Sequence, residues 1–431
     1  MKKLVTLKSS SLHYTNNLSD FIVYLIAILA PFSVTFLAKI NVIIILILSS
    51  LLFYLNLISR KKIKFMKLEV NFLFSYISFL LISLFSLFYS ITLITSPELP
   101  TNIFTRFITI STCILTIIIV SNWIAYQPVE KLILFLKFSL LSTVIFAVLS
   151  IYQILSFKYG LPFIETRSNV WGADQETKEQ LGFRITSIAQ EPNFYAPILI
   201  ESILLSYLIL PRKKFILFLI VNIFLVYKTY STGVYIHLFT IYILFVFFLN
   251  TKPIKKIVML MLILSPCLIS LIILMTNNQY FITKLNVELS GESSRTQWYM
   301  TIISEIFNSE NFFNLVFGHG LNTLSYFNEL SILTSSNLYF SISNNFYMDI
   351  LWDSGILGFV FFIFGMTLMA KHLLSIKNKN DYGFIALLLF FSFLITSLYR
   401  SEYTSTHFIW VVLNILVCYA ITIKKGNYQC D

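Results

Sequence analysis

Residues 60–93 read RKKIKFMKLEVNFLFSYISFLLISLFSLFYSITL. Five cations (Arg60, Lys61, Lys62, Lys64 and Lys67) precede a run from Asn71 to Leu93 that carries no charge at all. About 20 mainly apolar residues suffice to cross a bilayer as a helix, and a helix satisfies its own backbone polar groups where no water can. The same grammar repeats along the chain. It predicts spans over 19–38, 40–58, 71–93, 104–121, 132–154, 189–210, 215–231, 233–250, 257–276, 346–370, 382–399 and 406–423. Pro31 is expected to kink the first of these. The fold class that follows is an all-α integral membrane protein of about 12 transmembrane helices. Residues 1–431 form a single polytopic membrane domain with two long outer segments, 155–188 and 277–345.

Composition agrees. Of 431 residues 57% are hydrophobic and 12% charged, against about 25% charged in a soluble domain. Mean hydropathy is +0.80. Cys113, Cys267, Cys418 and Cys430 form no CxxC pair, so neither a zinc site nor a disulfide framework is expected. The N-terminal region has no small-residue cleavage site after its first apolar run, so no removable signal peptide is expected.

The net charge of +11 tests the topology. Twenty of the 31 Lys and Arg fall in seven clusters on one side of the span map, from Lys2, Lys3 and Lys8 to Lys424 and Lys425. The other side holds Lys39, Arg106, Lys158, Arg167, Lys178, Arg184, Lys284, Arg295 and Arg400. By the positive-inside rule both termini are cytoplasmic. A nucleic-acid partner is not expected, since the cations are scattered between spans rather than gathered on one face or tail.

Three stretches carry polar chemistry. The first outer segment ends in Arg184, Glu191, Pro192 and Asn193, at the mouth of a span. Glu191-Pro192 looks like a helix start with proline in the first turn. Those residues read either as an interfacial anchor with a cap or as a polar site facing a lipid-linked substrate. The second outer segment holds Arg295 and Trp298, three apart and so on one helical face, then Gly318-His319-Gly320. No strand precedes that Gly-x-Gly, so it is no nucleotide loop. His319 reads as a hydrogen-bonded loop histidine or as a base. The tenth span opens with Asn344 and Asn345, carries Asp349 and Asp353, and reaches Gly355 and Gly358, a spacing that permits close helix packing. Two carboxylates at a span's end are costly unless solvated or paired.

In this order the motifs resemble the O-antigen polymerase and O-antigen ligase family of bacterial surface-polysaccharide assembly. The resemblance runs over about 180–360. It rests on Arg184 through Asn193, the Ser231-Thr232-Gly233 turn, Arg295 with Trp298, Gly318 to Gly320, and Asn344-Asn345 through Gly355 and Gly358. It implies a GT-C-like membrane glycosyltransferase joining undecaprenyl-diphosphate-linked oligosaccharide repeat units of O-antigen or capsule, at the outer face of the bacterial cytoplasmic membrane. The ligases resemble one another in a His where this chain has Asn344, which favours the polymerase branch. A ligase, or a lipid-linked oligosaccharide flippase or transporter, is the alternative. Arg184 and Arg295 would neutralise the departing diphosphate with forked, permanently charged hydrogen bonds. Glu191, or second His319, would serve as base. Asn193, Trp298, Asn344 and Asn345 would bind substrate. Neither cofactor nor metal is implied. Membrane lipid, a chain-length regulator and a flippase of the same pathway are the implied partners.

Overall fold

The computed structural model describes residues 17–35, 37–59, 62–90, 99–163, 184–260, 286, 290, 294–308, 311–324, 343–401 and 407–427. Helix α1 runs Asn17–Val34. It tightens into a 3-10 turn over Ala30–Val34, with Pro31 in the first turn of that segment, so the expected irregularity at Pro31 is present. There follow α2 (Ala38–Ile58), α3 (Lys67–Ser90), α4 (Leu99–Tyr126), α5 (Val129–Tyr159), α6 (Pro192–Ile209), α7 (Arg212–Lys228) and α8 (Thr232–Phe248). A helix over 253–260 is α9. Then come α10 (Ser294–Asn308), α11 (Phe312–Phe317), α12 (Phe346–Ile376), α13 (Asp381–Thr396) and α14 (His407–Asn427).

Every expected span except 257–276 coincides with one helix, and for that one only the α9 start lies within the described residues. Eight helices are long and apolar enough to cross a bilayer; α8 and α13 are apolar but shorter. At 1.5 Å per residue their 17 and 16 residues reach about 25 Å, short of a hydrocarbon core of about 30 Å. The protein is an all-α integral membrane protein.

Helix α14 is the axis of the bundle. Phe408 to Cys418 is buried without a break, the polar Asn414 included. A helix that is apolar all round belongs inside. The outer helices instead show Ile43, Ile47, Leu81, Phe88, Leu217 and Phe247 outward, a surface that lipid solvates. Among the described residues there is no strand, only one isolated bridge between Thr35 and Ala189.

The described members of the cationic clusters gather at one end. Lys131 pairs with Asp20 of α1, whose other carboxylate oxygen accepts from Trp123 Nε1 at 2.8 Å. Lys424 Nζ donates to the carbonyls of Ile124 and Ala125 at 3.2 Å, closing the end of α4. The Lys64 amide donates to Asn122. Lys425 lies over Tyr382, and Lys377 over Phe248. The motif residues lie at the opposite ends of these helices.

Candidate functional site

The chain entering α6 is held by backbone geometry first. Gln153 Oε1 accepts from the amides of Thr186 and Ser187 at 3.0 and 2.8 Å, with Ser187 at φ 54°. Ile185 N donates to the Lys228 carbonyl at 3.1 Å, and Gln190 N to that of Val34 at 2.9 Å. Arg184 is half-buried, and its Nε donates to the Thr229 carbonyl at 2.9 Å. That caps the C-terminus of α7, where the last carbonyls lack helical partners.

Glu191 is the N-cap of α6 and Pro192 its first residue, as the sequence indicates. The Glu191 carboxylate takes no part in the cap. Its negative charge stands at the positive end of the helix dipole. Asn193 Oδ1 accepts from Ser231 Oγ at 2.5 Å, joining the start of α6 to the turn that opens α8.

The second cluster is a backbone joint. Helix α12 is broken at Gly355, with φ 62° and ψ −166°. Gly318 (φ 80°) sits against it so closely that a Cβ on either glycine would stand 2.5 Å from the other's amide nitrogen. The broken turn frees carbonyls, and the loop amides take them: His319 N to Trp352 O at 2.7 Å and Gly320 N to Asp353 O at 3.1 Å. Ser86 Oγ of α3 donates to the Gly318 carbonyl at 2.5 Å. Gly355 is therefore a helix break that receives a loop, a correction to its reading as a helix-packing glycine.

His319 is 1% exposed and stacks on Trp352, ring centroids 4.0 Å apart. Burial pushes its imidazole from the usual 6.5 down to about 4, a backbone hydrogen bond with Trp352 opposing. It belongs to the joint, and as a base it would be weak.

The two carboxylates of α12 are both engaged. Asp349 accepts from Ser343 N at 2.8 Å and from the Ser401 hydroxyl. Asp353 Oδ1 accepts from Asn322 N at 3.1 Å. Arg106 of α4 reaches Asn322 Oδ1 at 3.5 Å and acts electrostatically on Asp349. Asn345 caps α12, accepting from Tyr347 N at 3.1 Å and Met348 N at 3.4 Å, while Asn344 adopts φ 59°. Arg400, 1% exposed, donates to the Phe194 carbonyl at 3.4 Å and lies 4.9 Å over that ring. Hydrogen bonds Asp349–Ser401, Arg400–Phe194, Asn193–Ser231 and Arg184–Thr229, joined through neighbouring residues of the chain, thus lie across a single end of the bundle.

Residues 216–363 match the family model described as O-antigen ligase. That 148-residue stretch of the 431-residue chain is similar to an O-antigen ligase domain. No curated protein matches the chain. Proteins of this family are glycosyl-transferring membrane enzymes, ligases or polymerases, and the family implies a lipid-linked oligosaccharide substrate.

The matched segment contains the Ser231-Thr232-Gly233 turn, Arg295, Trp298, the Gly318–Gly355 joint and both asparagines. It excludes Arg184 and Asn193, which meet it through Thr229 and Ser231, and Glu191, the N-cap between them. Arg295 and Trp298 both lie on α10, the helix their spacing implied; their side chains fall outside the described residues. Of the expected site residues the structure joins Arg184, Glu191 and Asn193 in one cluster, and His319 with the α12 start in another. Arg106 lies by the second, at Asn322, and Arg400 by the first, at Phe194. Sequence reasoning placed both only as outer cations. Among the described residues, no group of three or more His, Cys, Asp or Glu is placed to hold a metal ion.

Proposed function

We propose that the protein is a surface-polysaccharide polymerase. In this reading it joins undecaprenyl-diphosphate-linked oligosaccharide repeat units at the outer face of the cytoplasmic membrane, with both termini cytoplasmic. The observation that carries the reading is that arginines from three distant parts of the chain are held at the same end of the bundle. Arg106, Arg184 and Arg400 each hold a polar partner, Asn322, Thr229 and Phe194 respectively, at the end of the bundle opposite the described lysine clusters. A growing diphosphate charge needs preorganised cations, and arginine supplies planar two-pronged donors that lysine cannot.

In the reaction, an acceptor hydroxyl oxygen bonds to the donor's anomeric carbon while the carbon–oxygen bond to the diphosphate breaks. The leaving diphosphate keeps the electron pair. The hydroxyl proton passes to a base, for which Glu191 is the favoured group: it is half-buried at the site and unused in the helix cap. Arg184, and Arg295 on α10, would hold the phosphates; Asn193, Trp298 and Asn344 would contact sugar. Asn345 is spoken for by the α12 cap. A ligase is the second reading, favoured by the description of the matching family; Asn344, where the ligases resemble one another in a His, speaks against it.

The test is Arg184→Lys beside Arg184→Ala in a null strain, at matched protein level, reading the length distribution of surface polysaccharide. Capping α7 needs only a cation donor, which lysine supplies. Gripping a diphosphate needs the fork. Loss of polymer in both variants, with single repeat units left on the acceptor, supports the polymerase. Near-normal polymer in both removes Arg184 from the chemistry.

A further inference from the structure

Between α6, α8, α13 and α14 runs a polar chain that the proposed chemistry does not use. Glu201, His237, Ser392 and His407 are each 0% exposed, and Arg400 is 1% exposed. Glu201 lies midway along α6, roughly 13 Å below Pro192 at 1.5 Å per residue. Ionisable groups at that depth are expensive and persist when paired and used.

With Glu201 ionised, the donor inventory assigns a proton to each bond of this polar chain. Arginine cannot accept, so Arg400 Nη1 donates to His407 Nδ1 at 3.3 Å. The imidazole proton is therefore on Nε2, which donates to Glu201 Oε2 at 3.0 Å. Ser392 Oγ donates to Glu201 Oε1 at 3.3 Å, and so accepts from His237 Nε2 at 3.0 Å. His237 Nδ1 then accepts from the Tyr399 hydroxyl at 2.9 Å. All the protons point toward one carboxylate, an arrangement in which each bond polarises the next.

The same Arg400 nitrogen that donates to His407, Nη1, also reaches the start of α6. Its guanidinium grips the carbonyl and the ring of Phe194, in the first turn of α6, beside Glu191 and Asn193. We propose that Glu201 and His407 are positioning residues. They hold the Arg400 guanidinium, and Arg400 holds the start of α6, so that an intramembrane carboxylate sets the geometry of Glu191 and Asn193. The link to catalysis rests on the reading given under Proposed function; the mechanical link does not.

Two substitutions of one residue separate this relay from general packing. The amide of Asn lies where histidine Nδ1 was, so His407→Asn keeps an acceptor for Arg400 and loses the bond to Glu201. The amide of Gln lies where Nε2 was, so His407→Gln keeps the donor to Glu201 and removes the imidazole acceptor that Arg400 Nη1 shares with the Phe194 carbonyl. Hydrogen exchange of the purified full chain in detergent reads the amides of Phe194 and Tyr195, which bond to the Glu191 carbonyl. In His407→Gln they should exchange on the order of tenfold faster, the scale of one lost charge-assisted bond, and in His407→Asn distinctly less. In the complemented null strain, polymer should shorten in the same order, at matched protein level. Unchanged exchange in His407→Gln overturns the relay, as does equal loss in both variants. A wild-type chain that restores no polymer sinks the polymerase reading alone, because the exchange measurement still decides the relay.

Discussion

Replacing Gly318 by alanine tests the joint between the outer loop and the broken helix. The new Cβ would stand 2.5 Å from the Gly355 amide nitrogen and 2.5 Å from the Trp352 carbonyl oxygen, where ordinary contact begins at 3.4 Å. Both obstacles are backbone, so no side chain can swing away, and the loop must retreat by about 1 Å to restore contact distance. That retreat breaks the 2.7 Å bond from His319 N and the 3.1 Å bond from Gly320 N, at about 0.5–1.5 kcal/mol each. Holding a non-glycine residue at φ 80° and ψ −168° adds about 1–3 kcal/mol. The sum is roughly 2–6 kcal/mol, and Gly355→Ala should cost a similar amount for the reciprocal reason. Gly160→Ala is the control: its φ is +67°, but nothing lies within 4 Å of the new Cβ, so only about 1–2 kcal/mol of left-handed strain is expected. Unfolding of the full chain in detergent, followed thermally and by denaturant, measures all three. The double variant at 318 and 355 should cost clearly less than the sum, since one insertion opens the gap that the other fills. If Gly318→Ala is as mild as Gly160→Ala, the joint does not hold the loop.

His319 makes stability depend on acid. Its folded pKa of about 4 lies below the ordinary 6.5, so the unfolded chain binds the proton first. The benefit of the neutral ring is complete above about pH 6.5 and is lost as pH falls toward 4, about 3 kcal/mol in all. His319→Phe, which keeps the stack on Trp352, should flatten that part of the pH–stability curve; an unaltered slope refutes the assignment. Asn345→Ala should cost about 1 kcal/mol as a lost cap, while Asn345→Ser and Asn345→Asp should preserve both stability and polymer. Loss of polymer in the Ser variant would instead return Asn345 to substrate binding. Reporter fusions or cysteine accessibility at about 170 and about 300 should mark the outer side, and a cytoplasmic signal at either overturns the orientation.

The spans were readable because a bilayer demands one thing of every crossing segment, and Asn71 to Leu93 announces it without ambiguity. The start of α6 was readable for a local reason: Glu191-Pro192 carries its own stop and start signals. Gly355 was misread because Gly-x-x-Gly has the same spelling whether it lets helices approach or lets one break. The break becomes visible only when Gly318, 37 positions earlier, is placed against it. Glu201, His237 and His407 passed unnoticed because each is a single polar letter in an apolar run. Their partners lie up to 206 positions away. One signal was available: a carboxylate in the middle of a span has to be paired with something.

The contacts that fasten the two ends of the 216–363 segment bear on how such proteins could be recombined. Asn193 meets Ser231, Ser397 receives the Phe346 amide, Ser401 meets Asp349, and Ser86 meets Gly318. In every pair one partner lies outside the segment. A chimaera that imported residues 216–363 alone would carry half of each handshake into a host with no matching hand. The polar groups so stranded sit at buried or half-buried positions, where an unmet hydrogen bond costs about 1–3 kcal/mol. Swaps of specificity between such chains should therefore succeed when the α3, α6 and α13–α14 partners travel with the insert.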